Sequence, residues 1–165
     1  MKVRMQLSHK NYKQVVKSVE TSKEWPENLG VGKPYDNMID NRLEDYLEAK
    51  AAAGQGDSRK TSALLAAVAD YTISRSHFES GNLLSALALR ESGKVQEADH
   101  MVAAWSTDFP ENRVVQWCTA IYRGEKEKAV GMLQSRNDQT NTTPWEASFR
   151  DSNFDLIVRL FSTEQ

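Results

Sequence analysis

Glu97 and His100 stand three residues apart in a helical run, the spacing at which a carboxylate and an imidazole project together toward a metal ion. Bundles that hold two metals this way need a second such pair and two further glutamates facing it. The sequence shows no second Glu-x-x-His, and its other histidines, His9 and His77, fall on separate elements. Ligand number decides such sites, so neither a metal nor a cofactor is expected. Cys118 could serve as a nucleophile beside a histidine, but it lies in an apolar helical stripe, where a buried thiol is inert. Glu44, Asp45 and Glu48 cluster on one helix and read as a solvated face. Acid–base work would also demand a pocket and two separated pKa values. Gly30-Val31-Gly32-Lys33 is too short for a phosphate loop, and Pro34 follows its lysine where a helix would have to begin. Of the four tryptophans, Trp105 and Trp117 fall on apolar faces and read as packing, while Trp25 and Trp145 sit at helix ends. No catalytic residue emerges, and the expectation is a protein that is not an enzyme.

Composition narrows the classes further. A chain of 165 residues suits one domain. Its 21 Lys and Arg against 23 Asp and Glu make no electrostatic case for nucleic acid or an anionic membrane. Residues 1–35 carry seven Lys/Arg against three Glu, a net +4 that leaves −6 for the rest and reads as a solvated basic face. With Cys118 as its one cysteine, the chain has no internal disulfide. No apolar run resembles a signal peptide or a membrane span, so a soluble, unexported chain is expected unless it is a piece of a longer one. Asn141-Thr142-Thr143 has the glycosylation pattern and reads as chance without secretion.

The elements that must position these residues are all helical. Tyr12, Val15, Val16 and Val19 place one face on a helix over 10–24, which Pro26 ends, and 27–34 is a loop. Asp36 is the expected N-cap of a helix with Ile39, Leu43, Tyr46, Leu47 and Lys50 or Ala51 inward; Gly54-Gln55-Gly56 stops it. Asp57 or Ser58 caps the next helix, which runs to about Arg75 on Leu64, Leu65, Val68 and Tyr71, with Ala63, Ala66 and Ala67 expected at a close helix crossing. After a turn over 74–81, Leu83, Leu84, Leu87 and Ala88 form one helix and, beyond Gly93, Val95, Ala98, Val102 and Trp105 another. Val114, Val115, Trp117, Cys118 and Ile121 lead to Gly124, then Ala129, Val130, Met132 and Leu133 to a loop over 135–142. Thr143-Pro144-Trp145-Glu146 has capping-box spacing and opens a last helix over 144–162, through Phe149, Phe154, Ile157, Val158 and Phe161, interrupted near 151–153. No strand alternation occurs, so the expected class is all-α.

Two patterns repeat. Trp25-Pro26-Glu27-Asn28 returns as Phe109-Pro110-Glu111-Asn112, and Gly-x-x-x-x-Ala occurs at Gly93 to Ala98 and Gly124 to Ala129. On these residues the chain resembles the tetratricopeptide repeat, with Ala86, Leu89, Ala98, Val102, Trp105 and Pro110 in the signature places. The resemblance implies a single domain, 1–165, of antiparallel helical hairpins forming a right-handed α-solenoid. Its hairpins fall over about 36–75, 80–110 and 112–136, flanked by the helices over 10–24 and 144–162. The unit at 80–110 fits best; that at 112–136 has a short first helix, and that at 36–75 fits with extra residues at its turn. Ser85-Ala86 replaces the family's Leu-Gly pair, and Trp117 stands where a small residue is usual. More narrowly, EWPENLGVGKPY (24–35) and NRLEDYLEA (41–49) resemble the helical-repeat tail of large bacterial multidomain proteins that also carry sugar-enzyme-like domains.

Stacked hairpins curve, so the first helix of each pair lines a groove. The resemblance places Asn41, Glu44 and Glu48, then Leu83, Leu87 and Arg90, then Val114, Cys118 and Ile121 on that groove. Its partner would be a protein or peptide segment, or another domain of the same parent, and not nucleic acid or membrane. The function expected is an interaction or inter-domain scaffold, with an accessory domain of a carbohydrate-processing enzyme as the alternative.

Overall fold

A computed structural model describes residues 2–24, 39–73, 77–138, 151 and 153–161. Among the described residues the chain is all-α, with nine helices and no strand. They are α1 Lys2–Ser8, α2 Tyr12–Lys23, α3 Arg42–Gly54, α4 Ser58–Ile73, α5 Asn82–Glu91, α6 Val95–Asp108, α7 Arg113–Arg123, α8 Lys126–Asp138 and α9 Phe154–Phe161. No described helix is long and apolar enough to cross a membrane.

One turn geometry is used three times. Gly56, Gly93 and Gly124 have left-handed φ angles of 80°, 82° and 77°. After each glycine a backbone amide reaches back five residues: Asp57 to the carbonyl of Ala52 (3.0 Å), Lys94 to Leu89 (2.9 Å) and Glu125 to Ala120 (2.9 Å). This closure satisfies the last carbonyls of a helix, and glycine adopts it without the clash a Cβ would bring. The next helix starts two residues past the glycine in all three cases, so the first turn carries no extra residues, contrary to expectation. Five residues beyond Gly93 and Gly124, Ala98 and Ala129 are buried.

Every helix from α1 to α7 touches its successor, and α3 also touches α5, as α5 does α7. The main core runs from Tyr46 on α3 to Ile157 on α9, and a smaller cluster joins Val15 and Val19 of α2 to Ala51 of α3. Between these neighbours α5 is buried from Asn82 to Leu89, the pattern of an interior helix. At α7 the Asn112 side chain accepts the amides of Val114 and Val115, capping the helix start.

Several boundaries differ from expectation for local reasons. The opening residues form α1, and Lys10, at φ 57°, breaks the chain before α2. Helix α3 starts at Arg42, because the Asp40 side chain accepts the Arg42 amide (3.0 Å) and holds Ile39 and Asp40 outside it. Asp57 does cap α4, accepting the Lys60 amide at 2.9 Å. On α4 the buried face is Leu65, Val68, Ala69 and Thr72, so Ala63, Ala66 and Ala67, set around the helix from it, point outward rather than into a crossing. Helix α8 continues to Asp138, into the expected loop. The readings on Trp25 to Pro34, Asp36, Asn141 and Thr143 to Phe149 lie outside the described residues.

Candidate functional site

The expected groove residues divide by burial. Asn41, Glu44 and Ile121 are half-buried and Arg90 is exposed, whereas Glu48, Leu83, Leu87, Val114 and Cys118 are buried. Leu83, Leu87, Val114 and Cys118 belong to the main core. Arg90 donates to the carbonyl of Tyr122 (2.8 Å), and its guanidinium lies 4.7 Å over the centre of the Tyr122 ring. For Cys118, burial and then the nearby Asp151 carboxylate push the thiol well above its ordinary value, so it stays protonated and unreactive.

The acidic run on α3 is not simply a solvated face. Glu48 pairs with Lys23 of α2 (2.8 Å) and Lys60 of α4 (2.8 Å), and Lys23 also holds Asp45 (2.7 Å). Burial alone would push the Glu48 carboxyl up, but the hydrogen bonds from Lys23 and Lys60 outweigh it and hold it below 4.5. Glu44 moves the other way: burial raises it, with Asp40 and Asp45 adding to the rise, against a backbone hydrogen bond. The two carboxyls therefore act oppositely on stability. The Glu48 contribution is present above the ordinary carboxyl range and fades as pH falls through its lowered value. Charged Glu44 opposes folding at neutral pH and is relieved on protonation. Urea midpoints at pH 7 should fall for Glu48→Gln and rise for Glu44→Gln, with both differences shrinking toward pH 4. Shifts of the same sign would sink this assignment.

A buried polar cluster joins α3, α4 and α5. Arg42 is 2% exposed, and its guanidinium donates to Asp40 (2.9 and 2.8 Å), Glu79 (2.6 Å), Thr72 (2.8 Å) and Asn82 (2.6 Å). Tyr71 lies 4.5 Å beneath it. The Thr72 hydroxyl meets that of Ser85 (2.7 Å), which donates to the carbonyl of Val68 (2.7 Å). Gly81 is needed here, since a Cβ would come within 2.5 Å of the guanidinium carbon. With every donor answered, the cluster is a structural clasp and not a free anion site.

Helix α9 adjoins this clasp. Asp151 accepts the Ser80 amide, Asn153 donates to Asp40 (3.4 Å), and Phe154 meets Trp117 of α7 edge-on, ring centroids 5.3 Å apart. Among the described residues two buried side-chain atoms lack a hydrogen-bond partner, the Ser80 hydroxyl and Trp117 Nε1. Each such atom costs about 1–3 kcal/mol of desolvation. On another side, a cleft of about 500 Å³ lies between α4 and the turn from α5 to α6, with Thr61, Leu65, Ala66, Ala69, Leu89 and Lys94 among its lining.

Glu97 and His100 are both exposed, and among the described residues no group of three or more His, Cys, Asp or Glu could hold a metal. Comparison with protein families, curated proteins and solved structures finds no match. Sequence reasoning missed the Arg42 clasp, whose partners on α4 and α5 lie 30 to 40 residues downstream. The available signal was polar: Thr72 and Ser85 fall on otherwise apolar helix faces.

Proposed function

We propose that this chain is a non-enzymatic scaffold that binds a protein segment across the face shared by α3, α5 and α7, in the manner of a tetratricopeptide-like solenoid. The observation that supports it is the triple use of one glycine turn together with the contacts of α3 with α5 and of α5 with α7. Equal turns give successive pairs a similar geometry, and the contacts set the first helices side by side, the arrangement that forms an extended binding face. On this reading Asn41, Glu44, Arg90 and Ile121 touch the partner directly, since they keep solvent access. Glu48, Leu83, Leu87, Val114 and Cys118 set the shape of the face from below.

A photo-reactive amino acid placed singly at Asn41, Glu44, Arg90 and Ile121 tests the reading. Cross-linked adducts with one common protein are expected from these positions and not from Arg59 on α4 or Ala103 on α6, both exposed. Adducts spread evenly over all six positions, or none from the shared face, would overturn it.

A further inference from the structure

The last helix supplies the clue to what this face binds. Phe154, Ile157, Val158 and Phe161 recur at helical spacing and make one stripe of α9, with Phe154 and Ile157 buried, while Asp155, Leu156 and Arg159 are exposed. Eight residues make a helix that is marginal in water by itself, so α9 owes its form to its seat on the other helices. That seat begins where Asp151 takes the Ser80 amide, at the start of α5, and continues over α7, where Phe154 meets Trp117. Phe161 closes it, lining a small cavity with Trp117 and Ile121.

The fit is uneven. The Arg42 clasp among α3, α4 and α5 leaves its hydroxyls, amide and guanidinium partnered. Ser80, whose amide Asp151 accepts, and Trp117, which Phe154 meets, each bury a polar side-chain atom without a partner. Desolvating those atoms without return costs stability at two residues that the segment from Asp151 to Phe154 packs against. We propose that α9 is an exchangeable, self-supplied occupant of the binding face, and that the partner is an amphipathic helix of the same chemistry. Such a helix carries a carboxylate three residues ahead of an aromatic, with apolar residues three, four and seven positions further on. The inference rests on the scaffold reading and names the ligand class of the same face.

Cys118 makes the exchange measurable, because it is the chain's one thiol and is fully buried close to Asp151. In the full-length protein, maleimide labelling of Cys118 is expected to proceed through local opening, with a urea dependence well below that of global unfolding. Asp151→Ala should speed labelling about tenfold. A synthetic peptide with the sequence of residues 150–163 should bind this variant more tightly than the parent chain and slow labelling again. The same peptide with Phe154→Ala and Ile157→Ala should do neither. Labelling that follows global unfolding, or a peptide without effect on Cys118, overturns the proposal. Should Asp151→Ala fail to fold, the urea dependence of the parent chain and direct binding of the two peptides decide the matter. Failure of the scaffold reading looks different: opening and peptide protection would be seen, but no cross-links to another protein, which overturns the partner while leaving α9 a movable helix.

Discussion

Replacing Arg42 by leucine is expected to lower the unfolding free energy by about 3–5 kcal/mol, the usual cost of removing one side of a buried charged cluster. Leucine fills part of the volume but removes the guanidinium from beside Asp40 and Glu79 and leaves Thr72 and Asn82 without the donor they share. Arg42→Lys should recover little. An ammonium is a point charge on a flexible stem, whereas the guanidinium reaches Asp40, Glu79, Thr72 and Asn82 at once and lies over Tyr71 as a plane. Urea denaturation followed by circular dichroism measures both variants. A lysine variant as stable as the parent would show that charge alone matters and that the fork geometry does not.

Trp117→Ala should cost a similar amount, about 3–5 kcal/mol, because the indole is the largest fully buried side chain described and its loss leaves a cavity against Phe154. Trp117→Phe is expected to cost less than about 1.5 kcal/mol. The indole N–H that phenylalanine lacks makes no hydrogen bond, so removing it forfeits no interaction and ends one desolvation penalty. The contrast between the two variants carries the content of the prediction. If phenylalanine proved as damaging as alanine, the N–H would have to be engaged and the seat of α9 better matched than its geometry shows.

Much of the architecture was legible in advance because it depends on local rules. Gly93 and Gly124 announce left-handed helix ends, and Ala98, Val102, Trp105, Trp117 and Cys118 recur at helical spacing, so the helices over 82–123 and their inward faces follow from neighbours in the chain. The candidate site was less legible. Periodicity shows that Leu83, Leu87, Val114 and Cys118 share faces, but a face is a groove or a core according to what lies over it. That was decided by segments far away in the chain.

Arg42, the glutamates of α3 and α9 illustrate the division. By residue type and helical phase alone, Arg42, Glu44 and Glu48 read as ordinary surface charges. Their burial is set by Lys23 from before α3, by Lys60, Thr72, Glu79 and Asn82 from after it, and by the close approach of Gly81. The sequence by itself determined an all-helical chain, its glycine turns and the apolar stripes, since these follow from backbone conformation and side-chain spacing within a few residues. Only the tertiary structure decided which charges are enclosed, that Asp151 reaches Ser80 and that α9 meets α7. Burial and charge pairing depend on distances between residues far apart in the chain, and no local pattern encodes those distances.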